Sequence, residues 1–149
     1  MDIKVLESYF QDTKTLEKVL DALKENFELV SYYANDVLKS KIASNPEEAK
    51  QAVLVLGGVF SDLAEALSVA EYEEGRRQNA ECERLRIEAE NTEKKFTSAM
   101  AEKSALVFVS DYRRIRKFIE GKLNGCEKQI SVLQSTLKNE KRTYNAQPE

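Results

Sequence analysis

Histidine is absent from this 149-residue chain, and with it the commonest general base and the commonest metal ligand. The two cysteines, Cys82 and Cys126, stand far apart and form no Cys-x-x-Cys pair. Neither a zinc site nor a disulfide framework is indicated, and free thiols suit a reducing compartment. Acid–base work would therefore fall to carboxylates alone. With 26 Asp and Glu residues, acidic pairs at helical spacing are unavoidable, and sets such as Glu47 with Gln51 or Glu73 with Arg77 are what any solvated helix face carries. A di-metal helical centre needs Glu-x-x-His motifs, which are missing. Gly57-Gly58 follows no strand and precedes no Lys-Ser/Thr, so it is not read as a phosphate-binding loop. The expectation is a protein without catalytic residues, metal or cofactor.

Charge is distributed more tellingly. Residues 111–142 hold nine basic and four acidic side chains, a balance of +5, whereas residues 1–110 hold 14 basic and 21 acidic, a balance of −7. A chain of net charge −3 thus carries a basic C-terminal helix. Its densest part is Asp111-Tyr-Arg-Arg-Ile-Arg-Lys-Phe118, where aromatics bracket Arg113, Arg114, Arg116 and Lys117. Two readings compete. In one, these cations answer acidic segments of the same chain or of a neighbouring subunit, and Tyr112 is core. In the other they line a phosphate-binding track, with Tyr112 or Phe118 available to stack on bases. On charge alone the first is preferred.

The elements that position these residues are helices. Only five glycines and two prolines are present, too few for the frequent turns of a β-sandwich or an α/β fold. Charged residues make up 33% of the chain against roughly a quarter in ordinary domains, which suits long solvated helices. Ile3, Leu6 and Phe10 share a face of a short first helix, and Asp12 or Thr13 caps the next. From Lys14 to Ala43, Leu16, Leu20, Leu23, Phe27, Val30, Ala34 and Val37 recur at steps of three and four, Lys41 being the one polar residue in the stripe. Val19, Leu38 and Ile42 widen it, and one long helix is predicted.

Ser44-Asn45-Pro46-Glu47-Glu48 is the clearest boundary. Ser44 or Asn45 caps, Pro46 takes the first helical position, and the glutamates meet the positive end of the dipole. The following central helix, 46–95, turns Ala49, Ala52, Leu56, Val59, Leu63, Ala66 and Ala70 inward, flanked by Val53, Phe60 and Leu67. Gly57-Gly58 weakens it by about 1 kcal/mol per glycine, so close approach of a neighbouring helix or a bend is expected there, and Gly75 marks a kink. Over Glu71 to Lys95 the helix turns polar, with anchors Tyr72, Ala80, Leu85, Ile87 and Ala89 and pairs such as Arg84 with Glu88 and Glu90 with Lys94. Thr97 or Ser98 caps a last helix, 97–143, whose stripe is Tyr112, Ile115, Ile119, Leu123, Cys126, Ile130, Leu133 and Leu137. Gly121-Lys-Leu-Asn-Gly125 within it is a packing detail, and residues 144–149 form a frayed tail.

Met1-Asp2-Ile3-Lys4 opens into a charged amphipathic segment and not a signal peptide. No unbroken apolar run reaches the ~18 residues of a membrane span. The expected protein is soluble and cytoplasmic, with an all-α fold of long amphipathic helices forming an elongated bundle or coiled coil.

The last two-thirds of the chain resembles the UvsY-type recombination mediators of bacteriophages. The residues that carry the resemblance are the polar helix around Glu71 to Lys95, the junction Thr97-Ser98-Ala-Met-Ala-Glu102, the run Tyr112 to Phe118, and Ile130 to Lys138 with its Leu133-Gln-Ser-Thr-Leu-Lys138 pattern. The first ~45 residues contribute little to it. The resemblance implies a homo-oligomer, in the host cytoplasm if phage-encoded, that binds single-stranded DNA and loads a recombinase where single-strand-binding protein already sits. Carried over by position, Arg113, Arg114, Arg116 and Lys117 hold phosphates and Lys122 and Lys128 extend the track. Ile119, Leu123, Ile130, Leu133 and Leu137 then join subunits. The alternative is a non-enzymatic coiled-coil structural or scaffolding protein that binds no nucleic acid.

Overall fold

Asp2 starts the first helix, its carboxylate accepting from the Lys4 N–H at 3.0 Å. The computed structural model describes residues 2–36 and 45–145, and every element among them is helical. In order these are α1 (Ile3–Tyr9), a 3₁₀ turn (Thr13–Thr15), α2 (Glu17–Ala22), α3 (Lys24–Asp36), α4 (Pro46–Asn91), α5 (Ser98–Phe108) and α6 (Ser110–Asn145).

Two expectations of single long helices are corrected. The helix read over 14–43 is divided at Leu23, after the 3₁₀ turn that Asp12 caps through Lys14 N–H. The apolar spacing runs straight across the division, because Phe27 N–H still bonds Leu23 O at 3.0 Å and Leu16, Val19, Leu23, Phe27 and Val30 are all buried. No glycine or proline marks the spot. Val37, Leu38, Lys41, Ile42 and Ser44 lie outside the described residues. The helix read over 97–143 is likewise interrupted at Val109, although Val109 N–H bonds Ala105 O and its carbonyl accepts from Arg113 N–H. Thr97 takes the cap position of α5, but its hydroxyl does not cap the helix. α6 runs to Asn145, two residues past the expected end, and residues 146–149 are outside the description.

Asn45 caps α4, accepting from Glu47 N–H at 3.2 Å. The helix is continuous through Gly57, Gly58 and Gly75, and the predicted inward stripe is buried from Ala49 to Ala70. It stops at Asn91, four residues before the expected end, on Glu93 in the left-handed region (φ 53°). Lys94 N–H there reaches back to Ala89 O at 3.0 Å, satisfying a terminal carbonyl. Lys94 is thus beyond the helix, and Glu90 pairs with Arg86 in place of Lys94. By length and composition alone α4 contains an 18-residue window apolar enough to cross a membrane, and 28% of that window is buried.

The contacts divide the chain into two compact units. In the first, Ala22–Glu65 with Glu120–Glu149, the core is built from Leu23, Phe27 and Val30 of the N-terminal segment, Ala52, Leu56 and Leu63 of α4, and Cys126 and Leu133 of α6. Gln129 donates to Val30 O at 3.0 Å and Asn26 to Asp62 at 3.0 Å. Gly125 lies against Val30, whose Cγ1 is 3.7 Å from where a Cβ would stand, while Gly121 has open space. In the second unit, Asp2–Asp21 with Ala66–Ile119, the core comprises Leu6, Phe10, Leu16 and Val19, then Ala66 and Ala70, then Ala101, Ala105, Val109, Tyr112, Ile115 and Ile119.

Candidate functional site

The run Tyr112–Phe118 lies on the first turns of α6, and helical rotation sends its members in different directions. Tyr112 and Ile115 take the buried face. Arg113 and Arg116 flank that face and converge on Glu74 of α4. Arg113 Nε lies 2.8 Å from Oε1 and Arg116 Nε 2.5 Å from Oε2, so the two guanidiniums share one carboxylate. The Glu74 side chain is 9% exposed while those of Arg113 and Arg116 are 32% and 21% exposed, so an enclosed carboxylate is held by two half-buried guanidiniums at the edge of the core. Burial would raise the Glu74 carboxyl, but the hydrogen bonds and charges of Arg113 and Arg116 outweigh it and hold the group below the usual carboxylate range. A carboxylate held ionised in this way is a poor proton donor or acceptor near neutrality.

The remaining predicted contacts separate. Arg114 is exposed and forms an ion pair with Glu17 of α2. Lys117 is exposed and makes no ion pair among the described residues. In the first unit, Lys122 donates to Ser31 Oγ at 3.0 Å and sits 6.0 Å from the centre of the Phe27 ring, while Lys128 is exposed. Of the residues expected to join subunits, Ile119 and Leu133 are fully covered by the chain itself, and Leu123, Ile130 and Leu137 are half-buried.

Two residues of the polar half of α4 matter more than their spacing indicates. Arg77 donates to Phe10 O at 2.7 Å and Gln11 O at 2.6 Å, tying down the C-terminal end of α1, where carbonyls lack helical partners. Its guanidinium also stands 4.5 Å from the centre of the Tyr112 ring. Glu73, almost buried, pairs with Arg76 at 2.7 Å and Arg77 at 3.7 Å. Sequence spacing shows Glu73 and Arg77 as an ordinary i, i+4 pair. The extra signal was the density of charge on a helix that also carried buried alanines at Ala66 and Ala70.

Comparison with known proteins returned no matching family model, curated protein or solved structure. The chemistry rests on the geometry alone. A cleft of about 190 Å³ beside the α4–α5 turn, lined by Leu85, Phe96, Met100, Lys94 and Lys95, has Glu88 as its carboxylate, and that group is committed to Arg84 at 2.8 Å. No cluster of three metal-ligating side chains occurs among the described residues. Cys126 is buried, its thiol 3.3 Å from Leu56 O, and burial pushes its pKa up to about 11, away from the thiolate a nucleophile requires.

Proposed function

We propose that the chain is a non-enzymatic scaffolding protein whose amphipathic helices pack as a bundle, which self-associates, and whose basic cluster serves mainly to staple its own fold. Its two free cysteines fit a cytoplasmic setting. The observation that carries the reading is Glu74 shared between Arg113 and Arg116. Both Nε donors are committed to this one carboxylate, which is 9% exposed and offsets part of their positive charge, so holding a phosphate through Nε would strip Glu74 of its partners. Uncompensated interior charge is strongly unfavourable, so these two cations are poorly placed as a polyanion track.

A second reading is favoured by Arg114 and Lys117, which are exposed on α6, and by the UvsY-type resemblance. In it the protein is a single-stranded-DNA-binding recombination mediator that loads a recombinase in the presence of single-strand-binding protein. Titration of a fluorescent oligonucleotide at low salt separates the two. The scaffolding reading expects no binding by the wild-type assembly. Binding that falls steeply with added salt, and that disappears in the Arg114→Glu, Lys117→Glu double variant with helicity intact, would replace it with the mediator reading.

A further inference from the structure

α4 contains an 18-residue apolar window of which 28% is buried, and one face of the helix over Glu47–Ser68 is exposed. The uncovered face is a single stripe. Lys50, Leu54, Gly57, Gly58, Ser61 and Glu65 follow one another at helical steps and are all exposed, Leu54 to 72%. The two glycines have no reason within the chain: a Cβ at either would meet nothing within 4 Å, and the helix passes through them unbroken.

The stripe is symmetric about the glycine pair. Leu54 precedes Gly57 by three residues and Ser61 follows Gly58 by three, while Lys50 precedes Gly57 by seven and Glu65 follows Gly58 by seven. Two such helices laid antiparallel, with a two-fold axis at Gly57-Gly58, bring Leu54 over Ser61 and Lys50 over Glu65, each twice. The glycines at the axis let the backbones approach closely, and the flanking charges meet with opposite sign. Glu65 makes no ion pair among the described residues, and Lys50 has Glu47 of its own helix at 2.5 Å, leaving ammonium protons for a second carboxylate. A lipid bilayer fits the face poorly, since Glu47, Lys50 and Glu65 all lie along it.

We propose that this face, centred on Gly57 and Gly58, docks a second copy of the same chain as an antiparallel helix pair. The inference rests on the self-association part of the functional reading and names its surface. The test is sedimentation equilibrium of the full chain and four variants: Gly58→Leu, Lys50→Glu, Glu65→Lys and the double charge exchange Lys50→Glu with Glu65→Lys. Gly58→Leu and each single reversal should weaken association at least about tenfold, a loss of about 1.4 kcal/mol. The double exchange should restore it. Circular dichroism should show unchanged helicity in Gly58→Leu, and should that variant misfold, the charge exchange carries the test. Self-association that none of the variants alters would overturn this surface while leaving the broader reading standing. A monomer at every concentration would overturn both. Binding of the wild-type chain to phosphatidylcholine vesicles, lost in Leu54→Glu, would assign the face to a lipid surface and overturn the proposal.

Discussion

At the scale of single residues, Glu74 is the carboxylate that Arg113 and Arg116 share. Replacing it with Gln removes the charge but nearly keeps the shape, leaving Arg113 and Arg116 to face a neutral amide. Unfolding in urea should show a loss of about 2 kcal/mol at pH 7. Because the folded carboxyl lies below its ordinary value, its contribution is fully present above the unfolded pKa of about 4.3 and is lost as pH falls through the folded value. The gap between wild type and Glu74→Gln should therefore hold from pH 7 down to about 5 and close in more acid solution. Cys126 offers a second check. With its pKa raised to about 11 by burial, it should resist alkylation at pH 8 in the native protein, while half-exposed Cys82 is modified. Intact-mass measurement should show one adduct before denaturation and two after.

At the scale of elements, the spacing of apolar side chains was a good guide to faces and a poor one to ends. The inward residues of α4 and the stripe of α6 were legible because burial follows the 3.6-residue period, and Ala49, Ala52, Leu56 and Leu63 all lie under 2% exposed. The interruptions at Leu23 and Val109 were not, since each changes the backbone at one residue and leaves the period intact. The end of α4 escaped notice for a different reason. A left-handed residue at the helix end is usually glycine, and here it is Glu93. An L-residue in that region costs about 1–2 kcal/mol. Glu93→Gly should consequently raise stability by about 1 kcal/mol, measured by thermal unfolding, without altering helical content.

At the scale of the whole molecule, the site was half legible. The excess of cations in 111–142 marked a region in need of counter-charge, and the possibility that they answer acids of the same chain was visible in the charge balance. Which acid, and which arginines, was not: Glu74 lies 39 and 42 residues before Arg113 and Arg116, and nothing in local spacing selects it. Arg77 shows the same limit, holding the carbonyls of Phe10 and Gln11 from 67 and 66 residues away. Arg77→Ala should free the α1 end, seen as at least about tenfold faster amide exchange over Leu6–Phe10, while amides in the Val53–Leu63 stretch keep their protection.

The long reach of these ties sets the order in which the chain can settle during synthesis. Val30 O waits for Gln129, 99 residues later, and Glu17 waits for Arg114, 97 residues later. At a ribosomal rate of about 5–20 residues per second, the N-terminal helices spend roughly 5–20 s without these partners. Contacts this distant slow folding, even in a protein built of local helical turns. The nascent N-terminal segment therefore exposes Leu6, Phe10, Val19 and Phe27 until α4 and α6 emerge, a window in which a holdase-type chaperone would have its strongest effect on yield.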